Sequence, residues 1–217
     1  MTVLRARLDL DALAERARDL DPHDVVDLRR DAWGHGAGRV AAVMADAGLR
    51  AARVDPDARA AVTAAGLTAT DAAPTVDGGR LFGGADAPVL RASSSVVSVK
   101  RLLAGEGVSY GYTHRAAVDT RIALVAGGYG QGIVRALGNR IEVEIAGRLH
   151  PVVGRIAMDV CVVDIGDSSI APGDEVVFFG GDGAARRALT TWVHATGLSA
   201  AELVCAVGLH ARWEDPA

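Results

Sequence analysis

The spacing of apolar positions changes part-way along the chain. In the first stretch it alternates between helical faces and short apolar runs. Leu10, Leu13 and Ala17 fall on one helical face, with Asp9 placed to cap that helix. Val25-Val26-Asp27-Leu28 is a short strand, followed by a helix over 36–47 that Gly48 ends. A strand over 49–54, a helix over 56–65 ended by Gly66, and a strand over 67–70 come next. Strands alternating with helices predict βα units on a parallel sheet.

Residues 71–95 form a connector rich in Gly, Pro, Ala and Ser, with a strand expected near Leu81-Phe82. Beyond it, short strands are expected over 96–103, 121–125, 141–145, 149–153, 156–165 and 175–179, then helices over 191–195 and 199–207. Ile141-Glu142-Val143-Glu144-Ile145 alternates apolar and charged positions, as a half-buried strand does. The reading is an α+β chain. A reduced parallel α/β segment, residues 1–85, precedes an antiparallel β-domain, residues 86–217.

Composition narrows the function classes. Aromatics make up 4% of the 217 residues, so the core is built of Ala, Val, Leu and Ile. A net charge of -4 without a basic block argues against nucleic acid and anionic membranes as partners. The charged start, Met1 to Arg18, does not read as a secretory signal, and no apolar run reaches the roughly 18 residues of a membrane span. A cytoplasmic soluble protein is expected. Cys161 and Cys205 sit among apolar residues and read as buried free thiols.

Four stretches carry the chemical signal: Ala104-Gly105-Glu106-Gly107-Val108-Ser109-Tyr110-Gly111, Gly128-Tyr129-Gly130-Gln131-Gly132, Val153-Gly154-Arg155-Ile156-Ala157-Met158-Asp159 and Gly173-Asp174-Glu175-Val176. In order and spacing they resemble the C-terminal β-domain of the alanine racemase family. Upstream, Asp31-Ala32-Trp33-Gly34-His35-Gly36 resembles the loop after that family's first barrel strand. The resemblance implies a pyridoxal phosphate (PLP) enzyme. A barrel lysine forms a Schiff base with the cofactor and acts on one face of the substrate Cα; a tyrosine from the partner subunit acts on the other. Tyr110 matches that tyrosine. Met158 matches the residue whose backbone N–H meets the substrate carboxylate, and Tyr129 matches a tyrosine at the entry. Read without the family, Tyr110 is a packing residue with a locally bonded hydroxyl, and Met158 a core residue.

The pattern breaks at the cofactor. The family's lysine lies four residues before the loop tyrosine, where this chain has Arg29. Arginine stays protonated and is not a usable Schiff-base amine. Lys100, the sole lysine of the chain, falls in a strand of the β-domain. Trp33 and Ala201 stand where the family uses phosphate-contacting tyrosines. An eight-unit barrel takes about 250 residues, whereas the segment before the β-domain has room for about three units. The resemblance therefore implies that the first units and the last strand remain, joined across an internal deletion.

His35 has no second ligand or acid beside it in sequence and reads as a turn residue. Gly180-Gly181-Asp182-Gly183 reads as a hairpin turn, and Arg29-Arg30 as a candidate anion contact. No metal and no PLP are expected. The favoured reading is a catalytically degenerate alanine racemase-like protein whose β-domain serves assembly or regulation. The alternatives are a racemase that still uses PLP, and a chain that lends Tyr110 to a full-length racemase. A homodimer is expected, because a partial barrel exposes strand edges and a formerly interior apolar face.

Overall fold

The computed structural model describes residues 3–214, so the outermost residues of the two expected segments, 1–2 and 215–217, lie outside it. The chain begins with β1 (Arg5–Leu8) and α1 (Leu10–Arg18). Asp9 caps α1, its carboxylate accepting from the Ala12 N–H at 2.9 Å. Then come β2 (Val25–Asp27), α2 (Arg29–Trp33), α3 (Ala37–Asp46), β3 (Ala51–Arg53), α4 (Arg59–Ala64) and β4 (Thr68–Thr70). The three strands form a parallel sheet in the register Val25, Ala51, Thr68. Val76 runs beside β2 through a parallel bridge to Val26. The βα reading of this segment holds.

Inside α2 the backbone is left-handed: Arg30, Asp31, Ala32 and Trp33 all have φ between 52° and 59°. Such residues cost about 1–2 kcal/mol each relative to the right-handed form, so their surroundings must impose the turn. Asp55 accepts the Arg30 N–H at 2.7 Å, and Asp31 accepts the Ala37 N–H at 2.7 Å.

One face of the small sheet, Val26 and Ala52, is buried in a core with Leu13, Val40 and Met44. The opposite face was expected to be apolar and is not. It carries Asp27, Arg53, Thr68 and Thr70 beside Val25 and Ala51, all at least partly exposed. The strand expected near Leu81-Phe82 is instead a helical turn, α5 (Gly78–Phe82). Asp77 caps it by accepting the Arg80 N–H at 2.9 Å, and Gly83 ends it at φ 83°.

β5 (Leu90–Leu102) starts six residues earlier than the sequence suggested. It leads through β6 (Gly107–Val108) and β7 (His114–Arg115) to β8 (Thr120–Ala126), β9 (Glu142–Ile145), β10 (Arg148–Val153), β11 (Val160–Asp164) and β12 (Glu175–Phe179). The chain then forms α6 (Ala188–Thr196), α7 (Ala200–His210) and β13 (Arg212–Trp213). The large sheet runs β12-β9-β10-β11-β8-β5, and β12 also pairs with β5. Closure leaves this barrel-like sheet without a free edge. β1 pairs with β5 and β13, so the first strand of the chain is stitched onto the β-domain.

Two further expectations are corrected. Residues 156–159 turn rather than extend, with the Ala157 N–H donating to the Val160 carbonyl, so only Val160–Asp164 is strand. Gly180–Gly183 is not a hairpin but the passage from β12 into α6, held by Glu144, which accepts the Ala185 N–H at 2.8 Å. Both cysteines are free thiols, Cys161 buried and Cys205 partly so. Burial pushes the Cys161 thiol up to about 12 and raises that of Cys205.

Candidate functional site

Three turns of the β-domain converge. The Tyr110–Tyr112 turn joins β6 to β7, with Ser109 and Tyr112 at φ 59° and 45°. Ser109 donates its hydroxyl to the Arg155 carbonyl, tying this turn to the loop that carries Met158. The Tyr129–Gln131 turn follows β8. Its Tyr129 and Gly130 N–H groups donate to the carbonyls of Ala157 and Met158, each at 2.9 Å. Asn139 adds a brace, its amide donating to Thr113 at 3.1 Å and its side-chain oxygen accepting the Gly154 N–H at 2.6 Å. Tyr110, Tyr129 and Met158 are thus carried by one hydrogen-bonded cluster of loops.

Their side chains face solvent. Tyr110 is 69% exposed, Met158 55% and Tyr129 43%, with Tyr112 beside them at 62%. The reading of Met158 as core is wrong, because it sits in a turn that leaves its side chain more than half exposed, with Cγ and the carbonyl beside Gly130 of the neighbouring loop. The reading of Tyr110 as a packing residue is wrong as well. Among the described residues its hydroxyl has no hydrogen-bond partner. Sequence reasoning also missed the arginines around these rings. Arg135 lies over Tyr129 at 5.8 Å, Arg115 over Tyr112 at 5.6 Å, and the Arg155 guanidinium lies beside Gly111.

The residues expected at the cofactor lie in the α/β segment and on α7. Arg29 is exposed at the end of β2 and forks onto Asp27, with Nε at 2.8 Å and an Nη at 2.5 Å from the two carboxylate oxygens. This pairing holds the Asp27 carboxyl below the usual range and raises the guanidinium. The Asp27 partner was not legible, because the chain leaves β2 at Asp27 and turns through Leu28 before Arg29. Trp33 is wedged against Phe82, ring centroids 5.2 Å apart, and over Gly78, where a side chain would strike the indole. Ala201 is the second residue of α7, behind the cap Ser199, and presents a methyl group. Lys100 is exposed on β5, opposite Ile122 of β8, in the other sheet.

α7 links the two groups of residues. Gly208 lies against the Trp33–Gly34 backbone, and Ala206 lies against Gly132 at the end of the Tyr129 turn. His35 lies in the turn between α2 and α3, as expected, and is fully buried there. Among the described residues no group of three or more His, Cys, Asp or Glu could hold a metal ion. Nor is any single described helix long and apolar enough to cross a membrane.

Residues 89–213 match the family model described as alanine racemase, C-terminal domain, which spans more than half of the chain. The chain belongs to the alanine racemase family. It is 39% identical to the alanine racemase of Thermobifida fusca over 121 residues, covering 56% of this chain and 32% of that protein. Against the alanine racemase of Mycobacterium tuberculosis the identity is 48% over 95 residues, covering 43% of this chain and 25% of that protein. The match thus spans about a third or less of these relatives' own length. The crystal structure of alanine racemase from Oenococcus oeni superposes with a TM-score of 0.82 at 15% identity, covering 98% of each chain. That from Streptomyces lavendulae gives 0.78 at 20%, covering 100% of this chain and 98% of the other. At such identities the superpositions establish the fold alone.

Proposed function

We propose that this alanine racemase-like protein is catalytically degenerate and that its β-domain serves as an assembly or regulatory module. One observation carries the reading. The position of the family's lysine holds Arg29, locked onto Asp27, while the sole lysine, Lys100, lies on the β-domain sheet. A permanently charged guanidinium cannot become the neutral amine that a covalent PLP link requires. Trp33 and Ala201 do not supply the phosphate contacts, so the residues present do not fit the cofactor. The division into residues 1–85 and 86–217, a cytoplasmic location and the absence of nucleic acid partners belong to the same proposal.

Purified protein incubated with excess PLP and then dialysed should show no stable visible band, and borohydride should trap no adduct outside Lys100 and the N-terminus. Racemisation of L- or D-alanine should stay at background, because each positioned acid–base group contributes roughly 10²–10⁴-fold. Activity that vanishes in Tyr110→Phe would overturn the reading.

A second reading is favoured by the exposure of Tyr110 on a braced turn, its hydroxyl unpartnered among the described residues: the chain lends this tyrosine to a full-length racemase in a mixed dimer. Titrating the protein into a racemase whose own matching tyrosine is replaced by phenylalanine should then restore activity, and Tyr110→Phe should not.

A further inference from the structure

The two hydrophobic cores of the molecule meet at a small aromatic joint. Trp33 and Trp213 each pack on both cores. His35 sits in this joint, 0% exposed, its ring centroid 4.5 Å from that of Phe82 and 6.1 Å from that of Trp213. Its Nδ1 lies 3.3 Å from the Trp33 carbonyl, and among the described residues its Nε2 has no partner. A proton on Nδ1 can be donated to that carbonyl, which leaves Nε2 as a bare lone pair in an apolar wall. We propose that His35 is an acid-sensitive latch: protonating its buried imidazole releases the α/β segment from the β-domain while the closed sheet stays folded.

The charge added at Nε2 would find no acceptor. Phe82 of α5 and Trp213 of β13 offer rings, and the Trp33 carbonyl is already engaged at Nδ1. The charged side chain acting on the ring is Arg39 of α3, stacked over Trp213 at 4.6 Å, and it opposes a second positive charge. Burial is the larger cause, and together they push the imidazole down to about 4 from its ordinary 6.5.

The direction follows from linkage. Above pH 6.5 the ring is neutral whether the joint is closed or open, so the latch holds. As the pH falls below 6.5 the open form takes up the proton first, and the balance shifts toward it by close to tenfold per pH unit, reaching ~150-fold at about pH 4 and levelling off near ~300-fold below it. Asp24 and Asp27, whose carboxyls are held below the usual range by Thr75 and Arg29, remain ionised through most of this window. The closed sheet survives because its buried core comes from Leu4 and Ala6, at the start of the chain beside β5, and from residues 90 onward, with no buried residue from 7–89.

Hydrogen exchange of the full chain, resolved by segment and corrected for intrinsic rate, tests this between pH 7 and 4. Amides of residues 10–82 should lose protection as the pH falls, while those of 90–207 keep it. His35→Phe, which retains a stacked ring, should remove the loss within this window. Equal loss in the variant and the parent, or simultaneous loss in both segments, overturns the proposal. Should the variant fail to fold, NMR of the parent's imidazoles decides. His35 should titrate below 5, together with the loss of protection; titration near 6.5 with the α/β segment still protected sinks the idea.

Discussion

Replacing Gly128 by alanine isolates what holds the exposed tyrosines in place. Gly128 is extended, at φ -141° and ψ -172°, a conformation alanine adopts freely, so any effect is steric. A Cβ built there falls 2.3 Å from the Met158 carbonyl oxygen and 2.4 Å from that of Ala157. Carbon and oxygen normally stand about 3.3 Å apart or more, so one loop must retreat by about 1 Å. The atoms in the way are backbone and cannot swing aside as a flexible side chain could. The same retreat breaks two 2.9 Å hydrogen bonds, from Tyr129 to Ala157 and from Gly130 to Met158. At about 1 kcal/mol for each bond and about 1–3 kcal/mol for overpacking, the expected loss is about 3–5 kcal/mol. Gly147→Ala is the control. Gly147 has φ 75° with nothing within 4 Å of an added Cβ, so its cost is the left-handed penalty of about 1–2 kcal/mol. Urea unfolding of both variants measures the difference. If Gly128→Ala is no less stable than Gly147→Ala, the loops are not clasped as described.

Arg29→Lys should not restore a cofactor link. Asp27 would hold the new ammonium, and at pH 8 even a free lysine of pKa about 10.4 is neutral in only about 0.4% of molecules; a borohydride-trapped adduct mapped to position 29 would count against this. Light scattering should give about twice the 22.3 kDa chain mass, because Tyr110, Tyr112, Tyr129 and Met158 together expose an aromatic surface that a partner can cover. A monomer that persists at high micromolar concentration refutes the dimer.

The βα units were legible because Asp9, Gly48 and Gly66 punctuate them, and the β-domain because its strands alternate between glycine turns. β1 escaped because Arg5-Ala6-Arg7-Leu8 is four residues long and finds its partner, β5, more than eighty residues away. The site was legible as motifs but not as surfaces. Met158 and Leu103 look like core in a sequence, yet both are exposed, whereas His35 looks like a loop residue and is buried. Exposure of that kind is decided by which loops meet, and the meeting depends on side-chain and carbonyl contacts of Asn139 and Arg155 that bridge residues far apart in sequence. The left-handed turn carried no signal at all. Arg-Arg-Asp-Ala-Trp holds no glycine or asparagine, the residues that most readily take positive φ.

That turn also bears on the order of assembly. Four consecutive residues at positive φ are uphill by several kcal/mol on their own, so the turn cannot nucleate. It needs Asp55 after β3 and Gly208 on α7 already in position, and Trp33–Gly34 meets Gly208 only when distant parts of the chain have come together. The turn therefore closes late, after the rate-limiting barrier. Substitutions such as Arg30→Gly should change the unfolding rate while leaving the folding rate nearly unaltered, placing the segment among the first to leave the native state.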